Sequence, residues 1–414
     1  MTFNSITENL PPYPMEEFNR IKRKLRDKGK EIFDFSTGDP TLTTPDFIRR
    51  ALLDGMSEVS QYPSIKGTDA LRDAILGYLT HRFELDPESV DVLPSFGSKE
   101  AVFHIAQCVV GRANGKKYVL YPNPGYPVYR SSTLFAGGKP YPVDVTPDSG
   151  YLLEPWKLPQ FVQDDAAAIW INYPHNPTGA VATEAYLQQL VDWCQDTDTL
   201  LLSDECYVDI YDATLEQSPR QDKPLSVLSY SQDKVLAFYS LSKRSGMTGY
   251  RSGFIAGDPA LMPMLAKARA NFGVAQQEFV QKAAIVAWND DDHCAQRRAV
   301  FSERMATLAG PLKDMGFELE VPKATFYLWA KLPESYGDSD VKFCTKLAEK
   351  GVVVAPSQWL SEGIKGFVRF ALVPDAEATA KAVEIIRQVV TGGRKADADP
   401  EPDDSSPDSD ESES

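Results

Sequence analysis

Apolar residues come in short unbroken runs through the middle of the chain. AAAIWINYP (166–174), TLLLSDE (199–205) and KVLAFYS (234–240) read as strands covered on both faces. A strand with one wet face would alternate, and these do not. Between the first two, Thr183 stands before Leu187, Leu190, Val191 and Cys194 at helical spacing. That pattern predicts a capped helix with one apolar stripe. Buried strands separated by helices indicate an α/β domain with a mostly parallel sheet.

The texture changes after about residue 290. A long polar helix pattern covers 295–315, followed by ELEVP, TFYLWAKL (325–332), a helix near 340–350, VVVAPS and FVRFALV (367–373). A last helix follows Pro374, over 376–390. This predicts a smaller α+β domain over 291–393, joined by an N-terminal segment, 1–40, with a large domain over 41–290 between them. A cleft between two such lobes is a usual place for a ligand.

Composition narrows the class. The 414 residues carry a net charge of −16, which argues against a basic nucleic-acid face. Nine acids and no base lie in 397–414, so 394–414 is expected to be a disordered acidic tail. No apolar run reaches the ~18–20 residues that cross a bilayer, and the N-terminus lacks a leader pattern. Five scattered cysteines without a CxxC pair suit reduced thiols in the cytoplasm and no metal site.

Six stretches bear chemistry. FYSLSKRSGMTGYRSGF (238–254) sets Lys243 just past a strand, with Ser240, Ser242 and Arg251 around it. The carboxyl ends of parallel strands face the ligand crevice. An amine there can form a Schiff base if its pKa is lowered, and the serines and arginine suit a phosphate. SDECY (203–207) puts Asp204 at a strand end and Tyr207 beyond it. A buried acid needs a partner, such as a protonated ring nitrogen, and a tyrosine can donate to a phenolate-type oxygen. NYPHNPTGA (172–180) is a turn presenting the Asn176 amide. LPSFGSKEAVF (93–103) offers Gly97, Ser98 and Lys99 at a helix N-terminus, which binds phosphate. YPNPGYPVY (121–129) exposes Tyr126 for stacking on a planar ring. FVRFALV places Arg369 inside an apolar strand, fit for a substrate carboxylate or an internal acid. Taken singly, each also fits a bland role: a surface lysine, a helix cap, a plain turn or a core aromatic.

In this order the stretches resemble the class I/II aminotransferases of the fold-type-I superfamily that uses pyridoxal 5'-phosphate (PLP). The resemblance runs from about Tyr13 to Val390, and includes FSTGDPTLTTP (35–45) and YPSIKGTDALRDAI (62–75). It implies a large domain with a mostly parallel seven-stranded sheet between helices, plus the smaller α+β domain. Lys243 resembles the lysine that holds PLP as a Schiff base and moves the α-proton. Asp204 matches the acid facing the ring nitrogen; Asn176 and Tyr207 match the pair on the ring hydroxyl. Tyr126 matches the stacking aromatic; Ser98, Lys99 (through its N–H), Ser240 and Arg251 match phosphate contacts. Tyr62 matches a tyrosine reaching the neighbouring subunit's phosphate, which implies a homodimer with shared sites. Arg369, helped by the Gly38 backbone, matches the α-carboxylate clamp.

Within the family the nearer resemblance is to succinyldiaminopimelate transaminases, on PPYPMEEF (11–18), SDECYVDIY (203–211) and AWNDDDH (287–293). It implies glutamate as donor and N-succinyl-2-amino-6-oxopimelate as acceptor in lysine biosynthesis. A sister enzyme acting on aspartate, LL-diaminopimelate or an aromatic amino acid stays open, as does a PLP carbon–sulfur lyase.

Overall fold

A computed structural model describes residues 5–8, 15–111 and 115–396. The expected acidic tail lies outside them from residue 397 onward. Seven strands form one sheet in the order Asp91–Ser95, Gly253–Gly257, Val235–Ser240, Leu200–Asp204, Ala166–Ile171, Tyr118–Asn123, Lys139–Asp144. Gly253–Gly257 runs antiparallel to both neighbours, and the other pairings are parallel.

Period-two alternation explains why the strands read as continuous apolar runs. Ile169, Leu201, Ala237 and Phe254 point into one core, with Leu187 and Leu190 of the helix Glu184–Asp196. Ala168, Trp170, Leu202 and Phe238 point into a second core on the opposite face, with Val102 and Ile105 of the helix Gly97–Val109. Both faces are dry, so neither needs polar residues. The cap at Thr183 forms as its position predicts: its side chain accepts the Tyr186 amide. Truncating a fully buried side chain such as Leu190 would cost about 2–5 kcal/mol.

A third core lies apart from these. It gathers Phe33 and Phe35 with residues of 301–390 around a three-stranded antiparallel sheet, Ala355–Pro356, Phe367–Ala371 and Tyr327–Lys331. Phe33–Asp34 pairs in parallel with Val352–Val353, which ties the N-terminal segment to this unit. The long helix is Asp292–Asp314 and the last one runs to Ala396, past the expected end at 390. ELEVP forms only an isolated bridge, Glu318 to Lys331, among the described residues. Among the described residues no helix is long and apolar enough to cross a membrane, and no cluster of His, Cys, Asp and Glu could hold a metal ion.

Candidate active site

Asp204 and Ser240 are the last residues of adjacent parallel strands, and Ser95 ends the strand two places further along the sheet. The crevice therefore opens at the carboxyl ends, where parallel sheets bind ligands. A cavity of about 660 Å³ lies there. Gly38, Ser98, Lys99, Tyr126, Asn176, Asp204, Tyr207, Ser240, Ser242, Lys243, Arg251 and Arg369 all line it. Gly97, next to Ser98, is buried and does not itself line it, and Tyr62, expected to reach the neighbouring subunit's phosphate, is fully exposed.

Lys243 sits just past the strand, on a single helical turn, Leu241–Arg244. Ser240 caps that turn: its Oγ accepts the Ser242 amide at 3.1 Å and donates to Ser242 Oγ at 2.9 Å. Lys243 Nζ donates to the Gly38 carbonyl. Burial lowers the Lys243 pKa to about 8; Cys206 and Asp39 oppose this, while Arg369 and Arg251 add to it. A neutral amine, able to attack a carbonyl carbon, is thus within reach near neutral pH.

Asp204 is buried at 3% exposure. Its partners are the Tyr129 hydroxyl, which donates to Oδ2 at 3.0 Å, and the Cys206 amide at 3.4 Å. Burial raises its pKa; the Cys206 thiol, then the Tyr129 hydroxyl and the Cys206 amide, pull it down. No basic side chain pairs with it among the described residues. A buried carboxyl so placed suits a cationic ring N–H, which would reverse the desolvation shift. Asn172 anchors this strand end, donating to the Asp204 carbonyl at 2.7 Å and accepting the Asn176 amide at 3.0 Å.

Arg369 is buried, and no acid accepts from it among the described residues. Nη1 donates to Asn176 Oδ1 at 2.9 Å and Nη2 to the Ser36 carbonyl at 2.7 Å, while Nε has no partner. The internal-acid reading of Arg369 is therefore set aside. Its guanidinium stacks 4.5 Å from the Tyr327 ring centroid, and the Tyr327 hydroxyl lies 2.9 Å from that of Tyr207. Gly38 is a glycine for space: a Cβ there would come within 1.9 Å of the Tyr327 hydroxyl oxygen.

The phosphate-type corner combines the helix N-terminus at Gly97–Ser98–Lys99 with Ser240, Ser242 and Arg251. Arg251 holds a left-handed φ of 53° and donates to the Thr248 and Phe96 carbonyls. Gly97 has φ +68°, and a Cβ on it would stand 2.7 Å from Arg251 Nη2. Both features let the guanidinium lie against the helix start. An acid for a ring nitrogen, a lowered lysine and an anion corner occupy one crevice, so the residues fit PLP.

Sequence reasoning missed Tyr129, Asn172, Ser36 and Tyr327 as members of the site. Tyr129 and Asn172 stood inside quoted motifs, PNPGYPVY and NYPHNPTGA. Ser36 acts through its carbonyl, which no side-chain pattern reveals.

The model of the aminotransferase class I and II family matches residues 30–386. The chain is 35% identical to LL-diaminopimelate aminotransferase 2 of Trichormus variabilis over 394 residues, covering 93% of this chain and 97% of that protein. It is 34% identical to the LL-diaminopimelate aminotransferase of Aquifex aeolicus, covering 94% and 99%. Among solved structures, an aminotransferase from Neisseria meningitidis aligns with a TM-score of 0.83 at 30% identity, over 94% of this chain and all of that one. A probable N-succinyldiaminopimelate aminotransferase from Thermus thermophilus aligns with a TM-score of 0.80 at 27% identity, over 90% and 98%. The chain is a member of the class I and II aminotransferases, PLP-dependent transaminases of fold type I.

Proposed function

We propose that this aminotransferase moves an amino group between glutamate and the oxo acid of a diaminopimelate-type compound, with LL-diaminopimelate as the first candidate for the aminated partner. The observation that carries the reading is the convergence of Lys243, Asp204, Asn176, Tyr207 and Arg369 on one cavity. PLP, when bound, supplies an electron sink for the substrate α-carbon. Arg369 grips the α-carboxylate with its guanidinium fork and so orients the α-hydrogen. Lys243, released as its amine, takes that proton and returns it on the other side of the exchange. Asp204 would hold a proton on the ring nitrogen, and Asn176 and Tyr207 would donate to the ring oxygen. The two half-reactions share these residues, so kinetics are ping-pong.

The substrate assignment is weighted by the relatives named as LL-diaminopimelate aminotransferases. Asp39 also lines the cavity. Its carboxylate adds negative charge near the Lys243 amine. N-succinyl-2-amino-6-oxopimelate, the substrate expected from sequence, is the second reading, favoured by the likeness to the Thermus structure. We place the enzyme in the cytoplasm as a homodimer. Leu53, Met56, Val59 and Tyr62 are all exposed within residues 53–62, and a second copy would cover them.

A half-reaction screen tests the assignment. The visible absorbance of the holoenzyme is followed as glutamate, aspartate, LL-diaminopimelate and N-succinyl-LL-diaminopimelate are added one at a time. Bleaching by glutamate and LL-diaminopimelate supports the reading. Bleaching by the N-succinyl compound alone of the two long donors replaces it with the second.

A further inference from the structure

Arg369 leans on a backbone carbonyl, and a carbonyl steadies a guanidinium only if its own residue is held. Ser36 is held from its N-terminal side. Ser36 donates both its amide, at 2.9 Å, and its hydroxyl, at 2.6 Å, to Asp34 Oδ1. The other oxygen, Asp34 Oδ2, accepts Lys22 Nζ at 2.8 Å. Lys22 belongs to the helix Met15–Asp27 and is only 6% exposed. A buried ammonium is costly without a partner, and Asp34 is the acid that meets it. Between Asp34 and Ser36, Phe35 donates its amide to Val353 at 2.8 Å and accepts the Ala371 amide at 2.7 Å. Ala371 ends the same strand that carries Arg369. Two residues after Ser36, the Gly38 carbonyl takes the Lys243 ammonium. One short stretch therefore touches both the carboxylate-binding arginine and the reacting lysine.

We infer that Lys22, Asp34 and Ser36 are positioning residues for Arg369, so that the helix Met15–Asp27 sets the affinity of the site for an α-carboxylate. The inference rests on Arg369 being the α-carboxylate clamp. None of the three side chains touches substrate. Asp34 fixes Ser36 through its amide and hydroxyl, and the Ser36 carbonyl fixes Nη2 of Arg369, which lines the cavity.

The test uses the holoenzyme and two donors that differ in the α-carboxylate alone: glutamate and 4-aminobutyrate. Single-turnover rates give the preference for glutamate. Asp34→Ala is expected to lower that preference about tenfold or more, the loss of a charge-assisted bond expressed as affinity. Ser36→Ala, which keeps the amide bond, should lower it about threefold, because a single neutral hydrogen bond is at stake. Asp34→Asn, which keeps an oxygen acceptor, should restore most of it. General damage to the fold would slow both donors equally and leave the preference where it was. An unchanged preference in both Asp34→Ala and Ser36→Ala overturns the inference, and if Asp34→Ala does not fold, Ser36→Ala decides. Arg369→Lys separates the two levels. If it leaves the preference unchanged, the clamp assignment itself fails; if it lowers the preference while the Asp34 and Ser36 variants do not, only the relay fails.

Discussion

Nη1 of Arg369 donates to Oδ1 of Asn176 at 2.9 Å, joining a strand of the three-stranded sheet to the turn that follows Ala166–Ile171. The two residues are 193 positions apart in sequence. On the proposed reading Asn176 would serve two ligands at once, the ring oxygen through its amide nitrogen and the substrate clamp through its oxygen. Asn176→Ala should raise KM for the amino donor about tenfold to a hundredfold, as loss of a hydrogen bond to a charged group predicts. Asn176→Asp should do worse, because its carboxylate would compete with the substrate for Arg369. Steady-state kinetics on both variants checks this, and an Asp variant that binds donor as well as the natural enzyme would contradict it.

Lys243 sets a pH dependence. Burial disfavours its charged form, so its folded pKa is lowered to about 8 from the ordinary lysine value. The neutral amine that PLP requires is therefore scarce below that pH and dominant above it. Recombination of apoenzyme with PLP should speed up as pH rises through about 8 and then level off. Stopped-flow absorbance at a series of pH values measures it. A rate that keeps climbing to the ordinary lysine range, or stays flat, would show that the amine is not lowered in this way. The stability sign agrees: between the folded and unfolded pKa values the unfolded chain binds more protons, so this group stabilises the apoprotein as pH rises.

Asp204 and Tyr129 make a second testable pair. Asp204→Asn keeps the shape but removes the charge that would hold a proton on the ring. kcat is expected to fall about a hundredfold to a thousandfold, the range for one electrostatic group at a reacting centre. Tyr129→Phe removes only the 3.0 Å bond, and should cost about tenfold. A Tyr129→Phe loss as large as that of Asp204→Asn would mean that the tyrosine does more than orient the acid.

The strand ends were legible because their neighbours are local. SDECY, NPTG and SLSK each combine an apolar run with the polar residue that terminates it, so Asp204, Asn176 and Lys243 could be placed in a crevice from sequence. The contacts that orient them were not legible, because their partners are distant in sequence. Tyr129 reaches Asp204 across 75 residues, and the Ser36 carbonyl reaches Arg369 across 333. The strand containing Arg369 reads as apolar with one charge, and nothing in that pattern says whether an acid or a ligand meets it. Among the described residues the structure surrounds the guanidinium with a carbonyl, an amide oxygen and a tyrosine ring, and with no acid. The helical turn bearing Lys243 is four residues long, too short for a periodic signal in the sequence.

The central claim, that Lys243 carries PLP and moves the α-proton, is tested most directly by the absorbance spectrum of Lys243→Ala beside the natural enzyme, each with PLP and then with glutamate. The natural enzyme should show the visible band of lysine-bound cofactor and lose it when glutamate is added. Lys243→Ala should lack that band and show no transamination of glutamate. Normal turnover by Lys243→Ala would contradict the account.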